Sequence, residues 1–206
     1  MAKPILYGAD YSVYVRIVRL VLAEKGIDYE LVPVDVFAAE GIPGWYVEYH
    51  PFGRIPAFEH DGFRLFETSA IARYVDEAFD GPPLQPEKPR SRATMNQIVG
   101  MLDAYAYRAM VWDVAVERLE KATPDDALIA NGLRQAATVL RVLTSLKAPG
   151  PWLMGDRLTL ADLHAVTIIA YLLKVAEGQN LLAEFPDIQT WWNHIAKRPG
   201  FADRLT

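Results

Sequence analysis

Four hydroxyl side chains lie close together near the start of the chain, in the stretch YGADYSVYVRIVRL. They are Tyr7, Tyr11, Ser12 and Tyr14. A hydroxyl at the start of a helix can donate a hydrogen bond to an anion such as a thiolate, since the helix end also favours negative charge. The same serine can instead only cap the helix, and a tyrosine within the helix is more often part of the core. Either chemistry or ordinary capping and packing is therefore consistent with this stretch.

The composition limits the chemistry that the protein itself can supply. The chain has 206 residues and no cysteine, which excludes disulfides, thiolate zinc sites and a sulfur nucleophile in the protein. Any reacting thiol must therefore belong to a substrate. The four histidines are far apart and lack the spacing of paired metal ligands, so we expect no metal site. These are His50, His60, His164 and His194.

The charge and hydropathy of the chain argue against two classes of partner. The net charge is -5, and the 21 Lys and Arg residues are spread along the chain rather than grouped, so no surface for nucleic acid is predicted. The apolar runs are too short and interrupted to span a bilayer, and no leader precedes the first of them. We expect a cytoplasmic protein that binds neither nucleic acid nor membrane.

The first half of the chain alternates strand and helix patterns. A strand KPILY precedes a helix over residues 12–25 that Gly26 stops, and a second strand YELVPV follows. Two more strands are joined by Asp61-Gly62, a strong signal for a two-residue hairpin. A helix from Glu67 to about Phe79 follows them. We therefore predict the order βαβββα for residues 1–80.

The second half is predicted to be entirely helical. The proline-rich segment GPPLQPEKPRS, residues 81–91, ends one helix and delays the next, so we place a linker there. After it, over residues 92–206, apolar residues repeat at helical spacing and no strand pattern recurs. Thr123-Pro124 is predicted to start the second long helix, and TLAD, residues 159–162, resembles a capping box in which Asp162 has a structural role.

Several motifs, in this order and spacing, resemble the cytosolic glutathione transferases. They are GRIPAF, FETSAIARYV and the late LTLAD. The segments YGADYSVYVRIVRLVLAEKGIDYE and HPFGRIPAFEHDGFRLFETSAIARY are most similar to the serine-type classes, phi-like and related bacterial members. The resemblance implies a fold of the α/β plus all-α class, with a thioredoxin-like first domain that binds glutathione and an all-helical second domain that carries the electrophile pocket.

The resemblance also implies which hydroxyl stabilises the glutathione thiolate. Ser12 falls at the position of the catalytic serine without an insertion. Other branches of the family use a tyrosine at the end of the first strand, where Tyr7 stands, although that alignment needs a gap. Tyr11 is a further alternative donor beside Ser12.

Two segments are predicted to anchor glutathione. If the bond before Pro56 is cis, the Ile55 backbone turns outward and can pair with an extended peptide, which in the family is the cysteinyl part of glutathione. Glu67 and Thr68 lie at the first turn of a helix, where an anion is favoured. Thr68 can donate to the γ-glutamyl carboxylate, and Glu67 can take the ligand's ammonium group.

The chain departs from the phi-like pattern at the glycyl end of glutathione. In that pattern a His-Lys pair holds the glycyl carboxylate, but this chain has GIPGW over residues 41–45. Arg54 stands at a nearby binding position of the family. Because a guanidinium can grip a carboxylate with two hydrogen bonds, Arg54 is a candidate replacement, and a solvated surface arginine is the alternative.

The resemblance places the electrophile against the first long helix after the linker. Aromatic and methionine side chains there suit varied apolar electrophiles, although such residues are more often core. The expected pocket residues are Tyr11, Tyr105, Tyr107, Met110 and Trp112. The family also implies a homodimer, in which Asp103 reaches the partner's glutathione and Phe52 packs between two helices of the partner.

The expected function is a detoxifying transferase that activates the glutathione thiol as a thiolate and adds it to a small, mostly apolar electrophile. Two alternatives stay open at this point. One is a glutathione-dependent peroxidase, dehalogenase or isomerase of the same family. The other is a non-catalytic binding or interaction protein that keeps the fold, because a fold does not dictate a function.

Overall fold

The chain divides after Pro83, within the proline-rich segment 81–91, into two units in the computed structural model. The structure describes residues 3–198 and residue 201. We refer to the described residues up to Pro83 as the first unit and to those from Leu84 onward as the helical unit. The predicted limits of the linker at residues 81 and 91 stay predictions.

A four-stranded mixed sheet with helices makes up the first unit, and it confirms the predicted order βαβββα. Strands lie in the order β2-β1-β3-β4; β1 is parallel to β2 and antiparallel to β3, and β3 is antiparallel to β4. The elements are β1 (Ile5–Gly8), α1 (Val13–Glu24), β2 (Glu30–Pro33), a short 3₁₀ helix (Gly44–Glu48), β3 (Ala57–His60), β4 (Phe63–Phe66) and α2 (Thr68–Ala78).

Local sequence explains where these elements begin and end. Ser12 is the N-cap of α1, and Gly26 after it has a φ of 68°, a conformation that glycine adopts without strain. Asp61 and Gly62 both have positive φ, 48° and 79°, as a two-residue hairpin requires. Both predicted helices of the first unit are confirmed to within one residue at each end.

The two faces of the sheet have different neighbours. Leu6 and Phe58 are paired and fully buried, and the Phe58 ring lies 6.2 Å from that of Tyr74 on α2. A side chain at Gly8, two residues from Leu6, would collide with Val15 of α1. Because successive strand residues point to opposite faces, α1 and α2 cover the face of Leu6, and the side chain of Tyr7 points to the other face.

The helical unit is built from helices in all its named elements, which confirms the predicted all-helical half. They are α3 (Pro89–Met101), a π-helical stretch (Leu102–Val116), α4 (Glu117–Glu120), α5 (Asp126–Leu146), α6 (Leu160–Leu172), α7 (Ala176–Ala183) and α8 (Pro186–Ile195). At the end of the π-helical stretch, the N–H of Glu117 bonds to the carbonyl of Trp112, five residues earlier.

The predicted start of α5 is wrong, whereas the predicted capping box of α6 is confirmed. Asp125, rather than Thr123, is the N-cap of α5, because its carboxylate accepts the N–H groups of Ala127 and Leu128 at 2.9 and 3.0 Å. Asp162 is fully buried in α6 and accepts the backbone N–H of Thr159 at 2.8 Å. Throughout the described part of the chain, no helix has both the length and the apolarity to cross a membrane.

Candidate active site

Ser12 opens α1 with a hydroxyl whose proton is not used by the cap. Its backbone is extended, with φ −73° and ψ 123°, and its Oγ accepts the N–H of Val15 at the long distance of 3.4 Å. A hydroxyl has one donor and two acceptor positions, so accepting this bond leaves its O–H free to donate elsewhere. The half-buried Ser12 therefore combines a donor with the positive end of a 12-residue helix.

Two arginines of α1 hold the loop that carries Ser12. Arg16 is buried, and its Nε donates to the Asp10 carbonyl at 2.6 Å. Arg19 pairs with the carboxylate of the same aspartate. The N–H of Ser12 donates to the Ala9 carbonyl at 3.1 Å. The backbone before Ser12 is thus fixed by contacts to the same helix that Ser12 opens.

Tyr7 is directed away from Ser12. Its ring lies on the opposite face of the sheet from α1, 4.4 Å from the ring of Tyr49. Burial, followed by a hydrogen bond to Tyr49, raises the pKa of Tyr7. Arg64 extends this array, since its Nη2 donates to the Tyr49 hydroxyl at 3.1 Å and its Nε to Glu59 at 2.9 Å. Tyr7 therefore lies in an aromatic and polar cluster on the other side of the sheet.

Tyr11 donates its proton to the loop that follows β2. Its hydroxyl donates to Oδ1 of Asp35 at 2.7 Å, and this bond, followed by the N–H of Phe37, lowers the pKa of Asp35. The Tyr11 oxygen also accepts the N–H of Val36 at 3.3 Å. Its ring, 37% exposed, lies 5.6 Å from that of Phe37. Tyr11 thus presents an aromatic surface rather than a free donor.

The peptide bond between Ile55 and Pro56 is cis, as the predicted pairing of the Ile55 backbone requires. Both residues are buried, and β3 starts immediately after them. The fully buried Tyr46, in the 3₁₀ helix, donates its hydroxyl to the Arg54 carbonyl at 2.8 Å. Sequence reasoning did not single out Tyr46, because nothing near it in the chain indicates that its hydroxyl bonds to the Arg54 carbonyl, eight residues later. Arg54 itself is exposed.

Glu67 and Thr68 lie at the N-terminus of α2, as predicted. Thr68 is buried and Glu67 is exposed. Glu67 has φ 71° and ψ 110°, a conformation that non-glycine residues rarely adopt. Its carbonyl accepts the N–H groups of Ala70 and Ile71 at 2.9 and 3.0 Å. The strained backbone turns the chain from β4 into α2 and leaves the Glu67 side chain outside the helix.

The predicted electrophile residues of the helical unit all lie in the π-helical stretch, with unequal exposure. Tyr105 is 64% exposed, Tyr107 and Trp112 are half-buried, and Met110 is fully buried. Asp103, half-buried, is in the same stretch. Their predicted roles stay predictions.

A pocket of about 530 Å³ lies within the helical unit, between α5 and the long helix that includes α3. Apolar side chains and uncharged amide and hydroxyl side chains line this pocket, and no charged side chain is among them. The lining consists of Gln97, Met101, Tyr105, Gln135, Thr138, Val139 and Val142. Tyr105 therefore faces this pocket.

Two family models match nearly the whole chain. The model for the N-terminal domain of glutathione S-transferases matches residues 6–83, and the model for their C-terminal domain matches residues 85–199. A glutathione S-transferase of Arabidopsis thaliana is 31% identical over 202 residues, which cover 95% of this chain and 92% of that protein.

Solved structures give the same likeness. A crystal structure of a glutathione transferase from Populus trichocarpa aligns with a TM-score of 0.85 and 32% identity, over 98% of this chain and 99% of that one. Glutathione S-transferase I from maize, in complex with an atrazine glutathione conjugate, aligns with a TM-score of 0.84 and 25% identity, over 99% and 97% of the two chains.

Proposed function

The chain belongs to the cytosolic glutathione transferase family, and we propose that Ser12 stabilises the glutathione thiolate in its reaction. Glutathione is the co-substrate, and the activity is its conjugation to an electrophile. The observation that supports Ser12 is the placement of the competing hydroxyls. Tyr11 donates its proton to Asp35, and Tyr7 lies on the far face of the sheet, with its ring 4.4 Å from that of Tyr49.

The energy that Ser12 must supply is within reach of one hydroxyl at a helix start. Lowering a thiol pKa from about 8.5 by roughly two units requires about 2.7 kcal/mol. A hydrogen bond to a charged acceptor contributes about 1.5 to 3 kcal/mol, and a helix terminus contributes about 0.3 to 1 kcal/mol. Together they account for a thiolate near neutral pH.

Two segments of the first unit are proposed to anchor glutathione. The backbone of Ile55, before cis-Pro56, pairs with the cysteinyl residue. Thr68 and the N-terminus of α2 hold the γ-glutamyl carboxylate, while Glu67 takes the ammonium group. Arg54 holds the glycyl carboxylate, since it is an exposed guanidinium beside the cysteinyl anchor.

The electrophile is proposed to lie against the half-buried aromatic residues of the π-helical stretch and against Tyr11. Tyr107 and Trp112 fit this role. Met110 supports them from the core, because its own side chain is fully buried. Tyr105 fits better in the pocket beside α5, and Asp103 is proposed to reach the glutathione of a partner subunit.

The assembly is proposed to be a cytoplasmic homodimer. Phe52 is 72% exposed on the first unit, and an apolar side chain of this size on a loop is typical of an interface anchor. The pocket of the helical unit offers a receptor of sufficient volume without a charged group. In a symmetric dimer each subunit would supply one anchor and one pocket.

The thiolate role of Ser12 is tested by the pH dependence of kcat/KM with a chromogenic aryl halide. We expect Ser12→Ala to lower turnover near neutral pH by at least about tenfold and to move the midpoint of the pH profile upward. Tyr7→Phe and Tyr11→Phe are matched controls that remove the competing hydroxyls. A raised midpoint in Tyr7→Phe with an unchanged midpoint in Ser12→Ala would transfer the role to the tyrosine.

A further inference from the structure

His50 is buried between the two segments proposed to anchor glutathione. Its side chain is 3% exposed. The backbone N–H of His50 donates to the Tyr46 carbonyl at 3.0 Å, and the backbone carbonyl of His50 accepts the N–H of Gly53 at 2.9 Å. Its ring lies 5.0 Å from the ring of Phe66. Sequence reasoning treated His50 only as one of four scattered histidines.

These contacts connect His50 to the residue before each anchor. Gly53 immediately precedes Arg54 and the cis bond, and Phe66 immediately precedes Glu67. A change in the position of the His50 ring or backbone therefore acts on both anchors at once. The β3–β4 ladder also joins the two anchors, since Ala57, directly after Pro56, pairs with Phe66, directly before Glu67. His50 packs beside this junction and contacts both segments.

The ring of His50 has a polar atom without a partner. Among the described residues, nothing forms a hydrogen bond with its buried Nδ1. The uncharged rings of Tyr46, Phe52 and Phe66 surround it at centroid distances of 6.5, 6.3 and 5.0 Å. A buried polar atom of this kind is costly and calls for an explanation.

Two charged groups act on the ring. Burial is the largest effect and lowers the pKa of His50; the negative charge of Glu67 raises it, and the positive charge of Arg54 lowers it. An apolar enclosure disfavours an imidazolium. The ring is therefore neutral near neutral pH, and acid would add a positive charge beside Glu67.

We propose that neutral His50 is a positioning residue for glutathione, and that its protonation weakens glutathione binding. The imidazolium would compete with the ligand's ammonium group for the carboxylate of Glu67 and would repel Arg54. This inference rests on the proposed function, because it uses the assignment of the ammonium to Glu67. Binding and protonation must then be coupled reciprocally, so a bound ligand disfavours the protonated ring.

The test uses S-methylglutathione, which has no thiol, so ionisation at Ser12 does not contribute. Its carboxyl groups have ordinary pKa values of about 3 to 4, so they do not titrate between about pH 5.5 and 7.5. A change in affinity within this window therefore comes from the protein. The dissociation constant is measured by calorimetry across this window. The imidazole of His50 is titrated in parallel by NMR, with and without the ligand.

In the wild-type protein we expect affinity to fall about twofold or more towards the acid end of this window, and saturation with S-methylglutathione to lower the pKa of His50. His50→Asn should lose this pH dependence, because an amide does not titrate. His194→Asn, which changes an exposed histidine of α8, should keep it.

The possible failures are distinguishable. If S-methylglutathione binds the wild-type protein at no pH, the proposed glutathione site is wrong and the role of His50 falls with it. Tight binding that does not vary with pH, or a ligand that leaves the His50 titration unchanged or shifts it upward, would overturn the His50 inference alone. Even if His50→Asn does not fold, the NMR titration of the wild-type protein shows whether ligand binding lowers the pKa of His50.

Discussion

The Nζ atom of Lys25 lies 3.2 Å from the Oδ1 atom of Asp76, and the two side chains are only 3% and 5% exposed. Lys25 is the C-cap of α1 and Asp76 belongs to α2, so this buried ion pair joins the two helices that cover one face of the sheet. The same Nζ donates to the carbonyls of Asp76 and Pro82, at 3.0 and 3.3 Å. Lys25 thus also holds the end of the first unit.

Replacing one member of this pair should destabilise the first unit strongly. We expect Lys25→Met to lower the free energy of unfolding by about 3 to 5 kcal/mol, because it leaves the Asp76 carboxylate buried without its cation. Urea denaturation measures the change, and hydrogen exchange in α1 and α2 locates it.

Two further variants show whether the loss in Lys25→Met comes from leaving a buried charge unpaired. Asp126→Asn removes a partner of Arg118 that is 83% exposed, and it should cost at most about 1 kcal/mol. The double variant Lys25→Met with Asp76→Leu should be more stable than Lys25→Met alone, because no uncompensated charge remains. Equal stability of Lys25→Met and the wild type would show that the pair contributes nothing.

Because the backbone of Glu67 is strained, we predict that substitutions at this residue affect glutathione binding and protein stability separately. Its φ of 71° costs about 1 to 3 kcal/mol for a residue with a side chain, and glycine adopts such a conformation without that cost. We expect Glu67→Gly to lose glutathione affinity while unfolding at a higher urea concentration than Glu67→Ala. The two variants share the loss of the carboxylate and differ in strain, so equal urea midpoints would contradict strain at this residue.

Thr68 is predicted to serve binding rather than turnover. Thr68→Val keeps the shape of this buried side chain and removes only the hydroxyl. Because a lost hydrogen bond to a charged group costs about 1.5 to 3 kcal/mol, the KM for glutathione should rise roughly ten- to hundredfold with little change in kcat. Ser69→Ala, at the next hydroxyl along α2, is the control; wild-type calorimetric affinity in Thr68→Val would move the γ-glutamyl end elsewhere.

The fold could be predicted from the sequence largely because its signals are local. Gly26, the Asp61-Gly62 turn and the box around Asp162 act within a few residues of themselves, and each appears where it was expected. The start of α5 was mispredicted because Thr-Pro and Asp are both start signals, and only the bonds made by Asp125 decide between them.

The candidate site was less predictable, because the choice among its neighbouring hydroxyl groups depends on contacts with residues far away in the sequence. Nothing near Tyr11 in the chain indicates that Asp35, 24 residues later, takes its proton. Likewise, the array that holds Tyr7 comes from Tyr49 and from Arg64 on another strand. The choice of Ser12 among neighbouring hydroxyls therefore draws its physical support from tertiary contacts.

The last prediction concerns Phe52 as the anchor of a homodimer. Its ring touches His50 and Phe66 only edge-on, at 6.3 and 6.1 Å, and remains 72% exposed, so it is not folded into the core of its own unit. A central aromatic anchor is worth about 2 to 4 kcal/mol on truncation. Since a symmetric dimer contains two copies, Phe52→Ala should raise the dissociation constant about a thousandfold or more.

Light scattering over a dilution series measures this change. A variant in the pocket of the helical unit provides a second test. Val142→Trp should fill that pocket and weaken the dimer in the same way, because Val142 is part of its lining. Phe63→Ala, which removes another half-exposed aromatic of the first unit, should leave the dimer intact. A wild-type protein that is monomeric at micromolar concentration would defeat the assembly itself, whereas a persistent dimer in Phe52→Ala would remove only this anchor from it.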